Sequence, residues 1–302
     1  CNLNYRFPKA QVKRLVSALL IETIEWPSRC KPSPEFALCV TLRRLALPGR
    51  WSDHSVVFGR SESYLSTIFL TVCEHLANTW RTNLEWHQQL RHYDKLIQFT
   101  RAIDTAGAGT RGLIWGFIDG HFQPFGRPQD DPQLYYSHKE HGMKFQAITT
   151  PDGLVSSLVG PFEGSINDCE MYTTSRIPVR LKRMIEKPGR RPIHLYGDAV
   201  YADFDGCTAP FTHSRDHRYL GVDTREFDRL LSSIRISAEH SFGDTTNGGY
   251  NAHGMQLRVG KQPVGCFFIT AVLLANCWNC MNRNQTSRKY DREPPELEAY
   301  LA

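Results

Sequence analysis

Four acidic residues in the last two thirds of the chain stand beside apolar runs or ordered turns, and this setting predicts metal chemistry. Residues 113–117 form an apolar run that leads into Asp119, and residues 193–196 form another that leads into Asp198. An acid beside a buried strand is unfavourable unless something pairs with it. Several acids that a fold brings together repel one another and form a site for hard cations. The four residues are Asp119, Asp168, Asp198 and Glu239.

The chemistry that such a set of acids supports is phosphodiester cleavage with two divalent ions. Shared carboxylates hold the ions about 3.5–4 Å apart, so that one activates a water or a 3′-hydroxyl and the other stabilises the leaving oxygen. Oxygen-only ligation favours Mg²⁺ or Mn²⁺, whereas zinc prefers His or Cys. Each acid alone has a plainer interpretation: Asp168, for example, stands where an N-cap is expected. The prediction of a metal site therefore rests on the four acids taken together.

The elements that position these acids form an α/β region. Strands are predicted over residues 144–149 and 154–159, on either side of a turn signal at 151–153, and over 193–196. One helix is predicted from Asp168 through Ile185, and a second carries an apolar stripe over 227–238 with Glu239 at its margin. This order predicts a mixed sheet flanked by helices. Strand ends at one edge of such a sheet collect functional groups.

The first 105 residues have a helical pattern. Ser33 and Ser61 are predicted N-caps of helices over 34–47 and from 62 onward, and a further helix is predicted over 84–103. Helices joined by short turns are compatible with a helix-turn-helix-like DNA-binding domain. A generic helical bundle is the alternative.

A stretch of small residues at 105–110 separates the two patterns and predicts a linker. We therefore predict a helical, DNA-binding domain over residues 1–105, a linker over 106–112, a catalytic domain over 113–283 and a polar C-terminal tail over 284–302.

Positive charge is concentrated in two segments. Residues 1–105 hold 14 Lys and Arg against 9 Asp and Glu, which accounts for the whole net charge of +5. Residues 176–191 hold seven basic residues and one acid. Both segments suit a polyanion such as DNA, and an ordinary solvated surface is the alternative.

Two apolar or sulfur-containing features have simpler interpretations. Residues 262–282 carry no charge, and a buried helix is favoured over a membrane span because polar Asn residues interrupt the run. Within this run Cys277 and Cys280 form a lone CxxC pair, which predicts packing rather than a zinc site.

The nine irregularly spaced Cys predict reduced thiols in an intracellular protein. Because residue 1 is Cys, we expect the chain to be trimmed.

Residues 117–282 resemble the DDE transposase domain of the PIF/Harbinger superfamily, including its domesticated nuclease-like relatives. The resemblance rests on blocks that occur in the family's order, with looser matches at 42–46 and 58–61 in the helical region. The blocks are Phe117-Ile118-Asp119-Gly120, Tyr136-Ser137-His138-Lys139 with Gln146, Pro151-Asp152-Gly153, residues 160–168, Gly197-Asp198-Ala199-Val200-Tyr201, residues 235–243 and Leu273-Leu274-Ala275-Asn276.

This resemblance implies an RNase H-like catalytic domain preceded by a helical, helix-turn-helix-like region. It implies hydrolysis and strand transfer at transposon ends with two Mg²⁺ or Mn²⁺ ions. Asp119, Asp198 and Glu239 match the DDE triad, and Asp168 matches a further acid counted with the metal ligands. The family also implies a nuclear location, a separate Myb-like DNA-binding partner and a homo-oligomer, with no membrane association.

Two residues depart from the family's pattern. His121 stands where Thr is usual, and Val200 stands where Gly is usual and is expected to crowd the loop of Asp198. Arg235 precedes Glu239 by one turn and is expected to pair with it.

Two alternatives to a nuclease stay open: a domesticated or decayed relative that binds DNA or protein without cleavage, and a metal-dependent phosphohydrolase of small substrates. The predicted DNA contacts are Arg43, Arg44, Arg60, Lys139, Lys144, Arg180, Lys182 and Arg183.

Overall fold

The computed structural model describes residues 2–27, 29–108, 110, 112–137, 140–202, 204–210 and 263–302. The first part of the chain is helical, as predicted. Serine side chains begin two of its helices: Ser33 Oγ accepts from the backbone N–H of Phe36 at 3.3 Å, and Ser61 Oγ accepts from that of Tyr64 at 3.4 Å. The helices are α1 (Asn2–Tyr5), α2 (Lys9–Ala18), α3 (Pro34–Ala46), α4 (Trp51–Phe58), α5 (Glu62–Glu85) and α6 (Tyr93–Ile103).

The prediction of a single helix over residues 84–103 is wrong. Helix α5 ends at Glu85, a 3₁₀ turn covers Gln88–Arg91, and α6 begins only at Tyr93. The chain leaves the helix because Trp86 is extended and the backbone N–H of His87 donates to the carbonyl of Ser156 at 2.9 Å. A contact far away in the sequence therefore overrides the local helical pattern.

A mixed six-stranded sheet follows the helical region. Four strands lie in the order β3, β1, β5, β6, while β2 and β4 each pair with β3. Strand β3 is antiparallel to β1 and β4, and β5 is parallel to β1 and β6. The strands are β1 (Ile114–Pro124), β2 (Tyr136–Ser137), β3 (Glu140–Thr149), β4 (Val155–Glu163), β5 (His194–Tyr196) and β6 (Cys207–Thr208).

Strand β1 does not end at Asp119, as the apolar run suggests, but continues to Pro124. Pairing with β3 extends it, because residues Phe117 to Pro124 lie opposite Thr149 to Gly142. Within the described residues, the pairing of β1 with β5 extends as far as Phe117 opposite Tyr196. Asp119 is therefore in the middle of β1, just beyond the part that pairs with β5.

Two helices replace the single helix predicted from Asp168 through Ile185, and they are α7 (Asp168–Thr174) and α8 (Ile177–Ile185). The break lies at Ser175, whose backbone is extended and whose Oγ accepts from the N–H of Ile177 at 3.3 Å. Pro178 in the first turn of α8 also prevents a continuous helix, since proline lacks the N–H that an earlier carbonyl needs.

Helix α9 (Val264–Asn282) is the buried helix expected in the uncharged stretch. It packs against α5 and β4. Buried Asn276 accepts from the N–H of Val155 and donates to its carbonyl, each at 2.9 Å, and so pairs with the edge strand β4. Among the described helices, α9 alone has the length and hydropathy of a membrane span, and most of it is buried within the protein. The described cysteines, including Cys277 and Cys280, are free thiols.

The last segment, predicted as a polar tail, contains α10 (Gln285–Lys289) and α11 (Leu297–Leu301). Leu297, Tyr300 and Leu301 are buried in the same core as α9 and the first helices. The segment is therefore part of the folded core, although its composition is polar. The domain boundaries themselves stay predictions. The second predicted helix, with Arg235 and Glu239, lies outside the described residues.

Candidate active site

Asp119 and Asp198 occupy matching positions just beyond the part of β1 and β5 in which the two parallel strands pair. Phe117 of β1 lies opposite Tyr196 of β5, and each acid follows its aromatic residue by two positions. Side chains two residues apart in a strand share a face, and neighbouring strands are about 4.8 Å apart. Phe117 and Tyr196 belong to one small cluster with Tyr290, on one face of the sheet. Alternation along β1 therefore places Asp119 on that face, and Asp198 follows the neighbouring Tyr196 by two positions, just beyond β5.

Backbone N–H groups orient both carboxylates. Asp119 Oδ1 accepts from the N–H of Gly120 at 2.9 Å. Asp198 Oδ1 accepts from the N–H of Val200 at 3.0 Å and caps the 3₁₀ turn Ala199–Tyr201. Both acids are partly exposed, so water and ions can reach them. The Val200 side chain is 40% exposed, and the expected crowding of this loop stays a prediction.

Asp168 lies against the opposite face of β1. A β-carbon built on Gly120 would lie 3.0 Å from Asp168 Oδ2, and the side-chain directions of Asp119 and Gly120 alternate. Lys144 Nζ lies 3.5 Å from Asp168 Oδ1 and donates to the carbonyl of Ile166 at 2.7 Å. Asp168 also begins α7, next to the N-cap Asn167. Strand β1 therefore separates Asp168 from the face that carries Asp119. The ammonium group of Lys144 balances the charge of Asp168.

Tyr201 connects these groups. Gln146 Nε2 donates to the phenolic oxygen of Tyr201 at 3.0 Å, and Gln146 lies opposite Gly120 in the sheet. Burial raises the pKa of Tyr201, and the negative charges of Asp168, Asp119 and Asp198 raise it further, against the lowering effect of the Gln146 bond. The phenol is therefore protonated at neutral pH, and all three carboxylates lie within electrostatic reach of it.

A glycine allows Tyr201 to lie this close. A β-carbon on Gly197 would lie 2.5 Å from Tyr201 Cδ2 and 2.9 Å from Ile118 Cγ2. Tyr201 and Ile118 belong to one buried cluster. The residues immediately before Asp198 and Asp119 are thus packed together, which fixes the spacing of the backbones that carry the two acids.

Comparison with protein families agrees with this arrangement. Residues 118–283 match the family described as DDE superfamily endonuclease, which is more than half of the chain. The chain belongs to the DDE superfamily endonuclease family. Comparisons with curated proteins and with solved structures each gave no match. A helical region followed by a mixed six-stranded sheet with flanking helices is the architecture expected of an RNase H-like DDE domain, and the predicted fold class is confirmed.

The DDE family uses divalent metal generally, and the donor set of this DDE domain is suitable for it. Asp119 and Asp198 supply carboxylate oxygens, which Mg²⁺ and Mn²⁺ prefer. Within the described ranges, however, no group of three or more His, Cys, Asp or Glu is arranged to hold a metal ion. Glu239, the third predicted ligand, lies outside those ranges. The metal-ligand assignments of the four acids stay predictions.

His121 takes part in the core of the DDE domain. Its ring stacks on Phe268 of α9, with centroids 4.5 Å apart and an angle of 5° between the planes. It lies two residues after Asp119 in β1 and therefore on the same face. The departure from the family's usual Thr thus joins the strand of Asp119 to helix α9 through an aromatic contact.

The predicted DNA contacts of this chain are in different environments. Arg44 donates to the carbonyl of Gly49, and its guanidinium carbon lies 4.7 Å from the centroid of the Trp51 ring. Arg43 is partly buried, and Lys144 pairs with Asp168. Lys139 lies outside the described residues. The side chains that remain exposed are Arg60, Lys182 and Arg183.

Sequence reasoning did not give a role to Tyr201 or Gln146, although both occur in the blocks that resemble the DDE family. A usable signal was present. Tyr201 follows Gly197 by one short turn, and glycine is a common residue where another group approaches the backbone closely. The partner Gln146 is separated by 55 positions, and only the structure reveals it.

Proposed function

We propose that this chain is a transposon-derived PIF/Harbinger-type DDE endonuclease that cleaves and joins DNA phosphodiester bonds. One observation carries the proposal: Asp119 and Asp198 follow paired residues of neighbouring parallel strands by the same two positions, and they do so in a DDE endonuclease domain. Such a pair of acids, just beyond the paired part of two neighbouring parallel strands, suits a catalytic centre.

Asp119, Asp198 and Glu239 would hold two Mg²⁺ or Mn²⁺ ions. Bound there, the ions would supply activation of a water or 3′-hydroxyl and stabilisation of the leaving oxygen. The protein's own part is to orient the acids. The N–H groups of Gly120 and Val200 fix one oxygen of each described carboxylate, at 2.9 and 3.0 Å.

We assign Asp168 a positioning role on the other face of β1. Its carboxylate packs on Gly120, and its ion pair with Lys144 balances its charge. Fixing Gly120 in turn fixes Asp119, the next residue of the strand. This role is compatible with the place of Asp168 in the family's acidic set and does not require direct contact with metal.

The proposed substrate is DNA at transposon ends, in the nucleus and away from membranes. Exposed Arg60 and Arg183 are candidates for contact with the phosphate backbone, whereas exposed Lys182 lies 3.9 Å from Glu186 and is not assigned a DNA contact. Arg44 is more suited to a structural role, because its guanidinium is bound to the Gly49 carbonyl and lies over Trp51. We further propose a separate Myb-like DNA-binding partner and a homo-oligomer, on the basis of the superfamily resemblance.

A plasmid-nicking assay with Mg²⁺ or Mn²⁺ tests the proposal. The full chain should convert supercoiled plasmid to the nicked form, and EDTA should prevent this. Asp119→Ala and Glu239→Ala should remove the activity, whereas Asp130→Ala, at an exposed acid, should keep it. Equal nicking by all variants would contradict the catalytic assignment.

The same samples separate the alternatives. DNA binding by the wild-type chain without nicking, in the presence of the Myb-like partner, would favour a domesticated binding protein. Metal-dependent hydrolysis of a small phosphate monoester without nicking would favour a phosphohydrolase.

A further inference from the structure

A second feature lies away from the acids: a cavity of about 300 Å³ lined by basic side chains. It is formed by the end of α5, the 3₁₀ turn Gln88–Arg91, helix α8 and the segment that follows α8. Among the described residues, none that lines it is acidic. The basic residues that line it are Arg91, Arg180, Arg183, Lys187 and Arg190.

Two of these arginines are held in place by uncharged partners. Arg180 donates to the carbonyl of Glu85 at 3.3 Å, and its guanidinium carbon lies 5.3 Å from the centroid of the Trp86 ring. Arg190 donates to the carbonyl of Met184, and its guanidinium carbon lies 4.5 Å from the centroid of the Tyr93 ring. A guanidinium has five N–H donors. Both arginines are therefore oriented while they keep donors for a further acceptor.

The positive charge of the pocket is not neutralised within the described part of the chain. None of the ion pairs formed there involves the five basic residues. Burial lowers the pKa of Arg180, and the positive charges of Arg176 and Arg91 lower it further, against the effect of Glu85. Concentrated charge of one sign in a concave surface attracts an oppositely charged partner.

We propose that this basic pocket binds a backbone phosphate of DNA, at the opposite end of β5 from Asp198. Arg190 precedes the start of β5 by four residues, whereas Asp198 follows its end by two. The inference rests on the proposed function in taking DNA as the polyanion.

The residues in and around the pocket favour the backbone of a polymer. Arg91, Arg183 and Lys187 are exposed at its rim, so that neighbouring phosphates also meet positive charge. The rings of Trp86 and Tyr93 are covered by guanidinium groups, so neither offers that face for stacking on a base. The pocket therefore holds DNA without reading its sequence.

Two adjacent residues of α8 provide a matched test. Arg183 lines the pocket, whereas Lys182, which is also exposed, lies 3.9 Å from Glu186 and does not line it. Arg183→Gln and Lys182→Gln each remove one positive charge. Binding of the full chain to labelled duplex DNA is measured by fluorescence anisotropy in EDTA, so that no cleavage occurs, over a range of salt concentrations.

Arg183→Gln should weaken binding about tenfold. It should also make the slope of log K against log salt shallower by about 0.9, the value for one lost phosphate contact. Lys187→Gln should act in the same direction, and Lys182→Gln should leave the slope unchanged. Circular dichroism and the melting temperature confirm that each variant is folded.

Equal affinities and slopes for Arg183→Gln and Lys182→Gln would overturn the proposal, and so would dependence on Arg183 for duplex RNA but not for DNA. The result is separate from the nicking assay. If the wild-type chain does not nick DNA but Arg183→Gln weakens DNA binding, the catalytic function is contradicted and the phosphate-binding pocket is supported. If the wild-type chain nicks DNA but Arg183→Gln leaves DNA binding unchanged, the catalytic function is supported and the pocket is contradicted.

Discussion

Gln146 and Tyr201 form a buried hydrogen bond that joins strand β3 to the turn of Asp198. The amide nitrogen of Gln146 donates to the phenolic oxygen at 3.0 Å, and Gln146 is fully buried. Its amide oxygen has no hydrogen-bond partner among the described residues. The Tyr201 ring also lies against Gly197, next to Asp198. The position of one proposed catalytic acid thus depends on a contact made by a different strand.

Tyr201→Phe should therefore reduce both stability and nicking. The substitution leaves the buried Gln146 amide without its acceptor, which is expected to lower the free energy of unfolding by about 1–3 kcal/mol. Urea unfolding measures this change. Gln146→Leu combined with Tyr201→Phe replaces both partners and should recover much of the stability but not the nicking rate. Wild-type stability in Tyr201→Phe alone would contradict the role of this bond.

Gly197→Ala tests the close approach of Tyr201 and Ile118. The new methyl group would lie 2.5 and 2.9 Å from carbons of these two side chains. Overpacking of this kind is expected to lower the free energy of unfolding by about 1–3 kcal/mol, as measured in urea. Gly49→Ala is the control, because its nearest contact is the flexible Asp53 carboxylate at 3.3 Å. Equal losses in the free energy of unfolding for both variants would contradict a special need for glycine at position 197.

Local signals in the sequence predicted several elements correctly. Ser33 and Ser61 cap helices because their side chains satisfy backbone N–H groups close in sequence. The apolar runs around Asp119 and Asp198 also form strands where they were expected. These features depend on neighbours within a few residues, so a pattern in the sequence is sufficient to identify them.

Contacts between distant residues account for what sequence could not predict. The break after α5 depends on a bond from His87 to Ser156, and β1 continues past Asp119 because β3 pairs with it. The face on which Asp168 lies follows from the same pairing, since Gly120 and Lys144 both belong to it. The acidic residues were identifiable from sequence, but their distribution over the two faces of β1 was not.

Asp168→Asn should be less harmful to nicking than Asp119→Asn. Because Asp168 pairs with Lys144 on the other face of β1, its loss should reduce the rate by about 10–100-fold, as for residues that orient a metal ligand. Asp119→Asn should abolish nicking. The measurement is the initial nicking rate over a range of Mg²⁺ concentrations. Complete loss in both variants would indicate that Asp168 binds metal directly.

Asp152 is expected to make stability depend on pH. It is fully buried in the turn before β4, and burial raises its pKa above the ordinary value of 3.8, more than its bonds from Thr150 and Leu154 lower it. The folded state therefore favours the protonated acid. This stabilisation is complete below about pH 3.8 and is lost as the pH rises through the folded-state pKa.

Asp152→Asn should consequently be at least as stable as the wild type at pH 7, and its advantage should disappear as the pH falls toward 4. The amide keeps an oxygen for Thr150 and Leu154. Asp152→Ala removes that acceptor and should lower the free energy of unfolding by about 1–3 kcal/mol. Urea unfolding at several pH values measures all three proteins. An Asn variant less stable at pH 7 than at pH 4, relative to wild type, would contradict the raised pKa.

Asn276→Leu tests why an apolar helix carries buried amides. Asn276 satisfies both backbone groups of Val155 in the edge strand β4 and also donates to the Tyr300 hydroxyl at 2.8 Å. Leucine leaves the N–H and C=O of Val155 buried and unpaired, so the free energy of unfolding should fall by at least about 2 kcal/mol. Asn282→Leu is the control on the same helix, because its bonds to Gln11 are only partly buried and water can replace them. Both substitutions increase hydropathy equally. A larger loss in the free energy of unfolding for Asn276→Leu, measured in urea, would therefore identify its bonds to β4 as the cause. Equal losses for the two variants would contradict that role.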